Sequence, residues 1–178
     1  LLLPGCSWWS SKSGPVPADL TSYKQTAKLE FRWDFDGPGD AKLAGIQPAV
    51  TREAVYVADA RGYLWRLDRT SGNRAWAVSS EFAISGAVGA GEGLVLVGGD
   101  KGDLAAYSDE GKLLWKTRVS SEVLSSPQVA DGMVVVRTGD GRITGLSAQD
   151  GKRQWLYERA TPALIVRSHA GVVIQRGI

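Results

Sequence analysis

A unit of about 40 residues occurs three times between residues 48 and 168, and this repeat limits the fold more than any other feature. Each copy contains an apolar run, a glycine, a second apolar run, a tight polar turn and a tryptophan. The tryptophans are spaced by 39 and 40 residues, as are the turn glycines: Trp76, Trp115 and Trp155, with Gly72, Gly111 and Gly151. Short strands repeated at such a period are typical of a β-propeller, in which each repeat forms one four-stranded antiparallel blade.

The second repeat divides into four segments of ordinary strand length. Strands are predicted at Ser85–Ala90, Leu94–Gly98, Asp103–Ser108 and Leu113–Arg118. Glycines between them supply the positive φ that tight hairpin turns need. The apolar runs are nearly continuous, as at Val134–Val136, which indicates strands covered on both faces by neighbouring blades. We therefore predict an all-β chain with essentially no helix and with repeats at about 48–86, 87–126 and 127–168.

The segments that flank the repeats predict further parts of a propeller. Lys28–Phe35 alternates apolar and charged residues over eight positions, which predicts a strand. Trp33 takes the place of Trp76 in this strand, so we expect the strand to complete the last blade of a ring. Val172–Ile174 predicts the opening strand of a fourth blade. Because propellers have four to eight blades, residues 28–178 are expected to form about half of a propeller.

Residues 1–27 differ in character from the rest of the chain. Residues 1–6 have the apolar run that is typical of the end of a signal peptide. Residues 7–27 are rich in Ser, Lys, Gly, Pro and Thr and predict a flexible linker. Leu3-Pro4-Gly5-Cys6 resembles the lipobox of bacterial lipoproteins, which implies a lipid on Cys6; the alternative is an exposed thiol. The indoles of Trp8-Trp9 are expected either to lie among the lipid headgroups or to be exposed in a flexible tail.

Composition and charge argue against several classes of function. The net charge is +2, from 21 basic and 19 acidic residues without a basic stripe, so no nucleic-acid partner is predicted. A single cysteine excludes an internal disulfide and a Cys-based metal cage. His169 is the only histidine and has no nucleophile or carboxylate constellation, and Asp34, Asp36 and Asp40 lack calcium-ligand spacing. No catalytic residue, metal or cofactor is therefore predicted.

The turn and tryptophan of each repeat resemble the tryptophan-docking motif of the pyrroloquinoline-quinone propellers. The first copy runs from Arg66-Leu67-Asp68 through Ser71-Gly72 to Trp76, and the third keeps Gly151-Lys152 before Trp155. In that superfamily the indole packs between adjacent blades. The resemblance implies a structural, blade-docking role for one set of residues: Trp33, Trp76, Trp115 and Trp155.

Two branches of this superfamily lead to different functions. Quinoprotein dehydrogenases bind the quinone and calcium through carboxylates and amides, often beside a pair of cysteines. This chain has one cysteine and no acidic cluster, so a periplasmic quinoprotein dehydrogenase is kept only as an alternative. A different ligand-binding propeller lipoprotein is a further alternative.

The second branch, the BamB family, is similar to nearly the whole chain, and most specifically to Val119–Gly132 and Thr161–Ser168. This resemblance implies an eight-bladed, non-catalytic scaffold lipoprotein of the outer-membrane β-barrel assembly machinery. It further implies a lipid anchor at the periplasmic face of the outer membrane, a BamA-like insertase as partner, and unfolded outer-membrane proteins as further partners. Carried over by position, Leu164, Val166 and Arg167 are the candidate contacts with the insertase. The alternative is that Leu164 and Val166 begin a buried strand.

Overall fold

The computed structural model describes residues 18–19, 21–22, 24, 26–37, 46–158 and 170–175. The chain divides into two units, residues 1–31 and 32–178. In the first unit the described residues form no helix or strand, and Lys28 and Glu30 make an exposed ion pair at 3.6 Å. In the second unit the described residues form twelve strands and no helix.

The twelve strands form three antiparallel sheets, each with its four strands in chain order. Blade 1 contains β1 (Ala49–Val50), β2 (Ala54–Ala58), β3 (Tyr63–Asp68) and β4 (Arg74–Ser79). Blade 2 contains β5 (Gly89–Gly91), β6 (Leu94–Gly98), β7 (Asp103–Ser108) and β8 (Leu113–Arg118). Blade 3 contains β9 (Gln128–Ala130), β10 (Met133–Arg137), β11 (Ile143–Ser147) and β12 (Arg153–Tyr157). The predicted all-β fold of four-stranded blades is confirmed.

Three of the four strands predicted in the second repeat have the bounds that the structure gives, but the first does not. A strand at Ser85–Ala90 is wrong, because β5 begins only at Gly89. The residues before it bond to several different elements instead of one ladder. The N–H of Val88 donates to the Gln47 carbonyl, and the Ser85 hydroxyl donates to the Val123 carbonyl.

The strands predicted at Lys28–Phe35 and Val172–Ile174 are also wrong, since none of these residues is in a strand. The side chains of Leu29 and Phe31 are 95% and 81% exposed. Alternation of apolar and charged residues makes an extended segment amphipathic, but a strand also needs a hydrogen-bonded neighbour, and no described strand pairs with this segment. Trp33 and Phe35 nevertheless pack against a buried cluster of blade 1 that contains Val55, Trp65 and Leu67.

The core consists of apolar layers between successive blades. In β6, Val95 and Val97 pack toward blade 1, whereas Leu94 and Leu96 pack toward blade 3. All five residues of β6 are buried, which confirms the prediction that the continuous apolar runs are covered on both faces. Each such side chain stabilises the fold by roughly 1.5–3 kcal/mol. These layers fix the spacing of the blades and therefore the position of every turn at their rims.

Candidate interaction surface

A β-bulge in the outer hairpin of each blade sets the position of the tryptophan. The register shifts between Arg66 and Leu67 in blade 1, and at the corresponding residues of blades 2 and 3. One extra residue of the outer strand, immediately before the tryptophan, has no partner: Ala75, Leu114 or Gln154. A bulge bends its strand and re-aims the following side chain. The sequence alone gave no sign of this extra residue.

Three tryptophans make the same contact with the turn between the third and fourth strands of a blade. The indole N–H of Trp33 donates to the Arg69 carbonyl at 3.0 Å. The indole N–H of Trp76 donates to the Asp109 carbonyl at 2.8 Å, and that of Trp115 donates to the Ala148 carbonyl at 2.9 Å. Trp76 and Trp115 thereby join each blade to the next, and Trp33 docks on the turn of blade 1 in the same way.

The turn glycines make room for these indoles. Gly72, Gly111 and Gly151 have φ values of +73°, +82° and +70°. A Cβ on any of them would lie within 3.0 Å of the indole of Trp33, Trp76 or Trp115. Glycine is therefore needed at this position for two reasons. The backbone is in the left-handed region, and the indole ring approaches too closely for a Cβ.

Trp155 is in a different environment. Its side chain is 39% exposed, and its indole N–H lies 3.2 Å from the Met133 sulfur. The ring covers Gly145 of its own blade, where a Cβ would lie 2.1 Å from the indole. Among the described residues, no turn of a further blade lies against it.

Blades 1 and 2 also share a polar contact near the Trp76 docking turn. The Tyr56 hydroxyl donates to Asp109 Oδ1 at 2.8 Å, and its ring lies 6.0 Å from that of Trp76. Burial and the neighbouring Asp109 carboxylate raise the pKa of Tyr56 above its ordinary value, so the hydroxyl keeps its proton and remains a donor. No sequence pattern singles out this pair, because its members are 53 residues apart.

The connections between blades form the candidate partner-binding surface. Residues 80–88 and 119–127 lead from one blade to the next and bond to each other. The Ser126 hydroxyl donates to the Val88 carbonyl at 2.8 Å, and Val123 and Leu124 of the second connection are 0% and 5% exposed. Each connection is therefore anchored by buried apolar side chains.

The residues predicted to contact the insertase lie outside the described residues, as do Cys6, His169 and Asp40. In the repeat, Leu164, Val166 and Arg167 belong to the third connection, 40 positions after Leu124, Ser126 and Pro127. Leu124 is buried and Ser126 is partly buried. The partner-contact hypothesis and the buried-strand alternative for Leu164 and Val166 both remain predictions.

Two structural features are absent from the described residues. They contain no cluster of three or more His, Cys, Asp or Glu side chains able to hold a metal ion. No helix among them is long and apolar enough to span a membrane.

Repeated four-stranded blades, joined by an indole that docks on the next turn, define this chain as a β-propeller protein of the tryptophan-docking class. The sequence model of the outer membrane protein assembly factor BamB matches residues 16–82 and 66–178. The chain therefore belongs to the BamB family.

Named relatives and solved structures agree with this assignment. The chain is 47% identical to the outer membrane protein assembly factor BamB of Nitrosomonas eutropha, over 90% of this chain and 39% of that protein. The crystal structure of BamB from Moraxella catarrhalis superposes with a TM-score of 0.64 at 25% identity, over 70% of this chain and 38% of that one. The chain thus spans less than half the length of these relatives.

A quinohemoprotein alcohol dehydrogenase from Comamonas testosteroni also superposes on the chain. Its TM-score is 0.54 at 24% identity, over 63% of this chain and 20% of that one. A likeness of this size shows a common fold and carries no argument for dehydrogenase activity.

Proposed function

We propose that the chain is part of a non-catalytic scaffold that helps to assemble β-barrel proteins in the outer membrane. The observation that supports this most directly is membership of the BamB family, with a relative of 47% identity that is named an outer membrane protein assembly factor. The family match continues through residue 178 and so includes the blades and their connections.

We further propose that the scaffold binds a BamA-like insertase through the third inter-blade connection. Leu164 and Val166 supply apolar area and Arg167 supplies a guanidinium, which is the composition of a small interface hot spot. The anchoring of the first two connections supports this choice. A connection held by buried side chains loses little conformational entropy when a partner binds its exposed residues.

Replacing Leu164, Val166 and Arg167 together by alanine in the full-length protein tests this contact. We expect the insertase to be lost when the variant is purified from membranes. The matched control replaces Leu113, Leu114 and Arg74 by alanine, which removes two exposed leucines and an arginine from the outer strands. Unchanged recovery of the insertase with the first variant would contradict the proposal. Lowered thermal stability of that variant would favour the buried-strand alternative.

The proposed scaffold is held at the periplasmic face of the outer membrane by a lipid on Cys6. Residues 7–27 then give the blades reach from the membrane surface. Unfolded barrel proteins are proposed as further partners, because β4, β8 and β12 stand at the ends of their sheets. Unpaired strand edges of this kind accept extended polypeptide chains.

A further inference from the structure

A small polar pocket of about 330 Å³ lies between blades 1 and 2, at the end of the blades that carries the β1–β2 and β5–β6 turns. Two turns and three further side chains line it: residues 51–53, residues 91–93, Tyr56, Arg66 and Asp109. Because the strands of each blade run antiparallel in chain order, the connections between blades lie at the opposite ends of the strands. The pocket is therefore separate from the surface proposed to bind the insertase.

The backbone of the β5–β6 turn repeats that of the β9–β10 turn. Glu92 and Gly93 have φ values of +49° and +75°, and Asp131 and Gly132 have values of +52° and +73°. Successive N–H groups of such a turn form a concave site for an anion. In the β9–β10 turn this site is filled, because the Glu92 carboxylate accepts both N–H groups at 2.7 Å and 3.1 Å.

The equivalent site on the β5–β6 turn faces blade 1, and blade 1 does not fill it. The N–H groups of Glu92 and Gly93 make no hydrogen bond within the part of the chain that the structure describes. The residue of the β1–β2 turn that corresponds to Glu92 is Arg52, since each stands two positions before the strand that follows. Glu53 stands one position later, and its carboxylate bonds to neither N–H group. The repeat thus places an arginine where the next pair of blades has a glutamate.

Arg66 supplies a second guanidinium to the pocket. Tyr56 and Arg66 are directly opposed in the ladder of β2 and β3, where blade 2 has Leu96 and Ala106. Arg66 forms no ion pair among the described residues, and its buried Nε has no hydrogen-bond partner there. Since buried donors are nearly always paired in proteins, this guanidinium lacks a partner that the pocket could receive.

Three carboxylates also line the pocket, but two of them are already bonded. Glu92 bonds to the β9–β10 turn, and Asp109 Oδ1 accepts the Tyr56 hydroxyl at 2.8 Å. Within the described ranges, two guanidiniums and two backbone N–H groups are left against the carboxylate of Glu53. These donors suit a planar carboxylate, which guanidinium groups bind with matching geometry. A phosphate group carries more charge and would be repelled more strongly by Glu53 and Asp109.

We propose that this pocket binds the carboxylate of an acidic side chain from a partner protein. The carboxylate takes the same place on the Glu92 and Gly93 N–H groups that the Glu92 carboxylate takes on the next turn. Arg52 and Arg66 neutralise its charge. A protein side chain is the occupant because the pocket has room for one such group and the equivalent site is filled by a glutamate. The inference goes beyond the proposed function and does not depend on it.

The test is an NMR titration of the isotope-labelled full-length protein with a blocked five-residue peptide that contains one glutamate among glycines and serines. We expect the amide signals of Glu92 and Gly93 to shift as the peptide is added. The amides of Asp131 and Gly132 are an internal control, because the protein's own carboxylate occupies them, and their signals should not move. A peptide with glutamine in place of glutamate is expected to bind at least about tenfold more weakly, since it lacks the charge.

Arg52→Glu places a carboxylate at the position that corresponds to Glu92. We expect this variant to bind the glutamate peptide at least about tenfold more weakly, because the new carboxylate repels the ligand and competes for the same N–H groups. Arg74→Glu is the matched control, since it makes the same charge change on an exposed arginine outside the pocket. The control should bind the peptide as the unchanged protein does. Circular dichroism checks that both variants keep the fold.

Several results would overturn the inference. These are equal binding of the two peptides, equal losses in the two variants, and shifts of the Asp131 and Gly132 amides as large as those of Glu92 and Gly93. Acetate and chloride are titrated separately. Acetate that binds as tightly as the glutamate peptide would assign the pocket to small free carboxylates instead of a protein side chain. Complete displacement of the peptide by an equal concentration of chloride would show an unspecific anion site.

Discussion

At the scale of single residues, the glycine of each docking turn and the indole above it depend on each other. Gly111 has a φ of +82°, and a Cβ there would lie 2.9 Å from Cδ2 of Trp76. Gly93 has a nearly equal φ of +75°, but a Cβ there would have no neighbour within 4 Å. Substitutions at these two glycines can therefore be compared, so that the cost of the backbone conformation is measured separately from the cost of the steric contact.

Gly111→Ala is expected to destabilise the protein more than Gly93→Ala. The control substitution costs roughly 1–2 kcal/mol, because an L-residue is unfavourable in the left-handed region. Gly111→Ala has this same cost and a further cost of about 1–3 kcal/mol, since the new methyl group displaces the Trp76 ring from its turn. Urea unfolding of the two variants of the full-length protein measures the difference. Equal losses would show that the indole does not constrain this turn.

At the scale of elements, the inner turns of neighbouring blades are joined by one side chain. Glu92, in the turn between β5 and β6, accepts hydrogen bonds from the backbone N–H groups of Asp131 at 2.7 Å and Gly132 at 3.1 Å. Both donors lie in the corresponding turn of blade 3. One carboxylate thus fixes the position of one hairpin turn relative to the next.

Glu92→Ala is expected to free the turn between β9 and β10. The free energy of unfolding is expected to fall by about 1–2 kcal/mol. This is the lower end of the range for two charge-assisted hydrogen bonds, because the site is exposed to solvent. Hydrogen exchange of the Asp131 and Gly132 amides should become faster, while exchange in β6 stays slow. Glu53→Ala is the control, because the Glu53 carboxylate makes no hydrogen bond or ion pair among the described residues. Unchanged exchange at both amides in Glu92→Ala would show that the contact does not hold the turn.

At the scale of the whole molecule, the proposed scaffold depends on being held close to the membrane that contains its partner. The proposed lipid anchor and polar tether would raise the local concentration of the propeller at the outer membrane without fixing its orientation. In this proposal the acyl chains are attached at Cys6, the one cysteine among residues 1–178.

Cys6→Ser in the full-length protein is expected to move it from the membrane fraction to the periplasmic fraction. Ser7→Ala is the control, which changes the neighbouring residue and keeps the thiol. Fractionation, with radiolabelled palmitate to detect the acyl chains, measures the outcome. A Cys6→Ser protein that remains in the membrane fraction after a high-salt wash would contradict the lipid anchor.

The sequence by itself determined the class of fold and most of the strands of blade 2. Apolar runs, turn glycines and a period near 40 residues are local signals, and β6, β7 and β8 begin and end where these signals predict. Two of the regularly spaced tryptophans, Trp76 and Trp115, lie at contacts between successive blades. Such features can be read from a chain because propensity and turn chemistry act between residues close in sequence.

The tertiary structure alone decided which backbone groups find partners. Lys28–Phe35 alternates like a strand, yet it has no described neighbour with which to form a ladder. The first predicted strand of blade 2 is shortened because Ser85 and Val88 bond to other elements. These outcomes depend on contacts between residues far apart in sequence, which a repeat pattern does not specify.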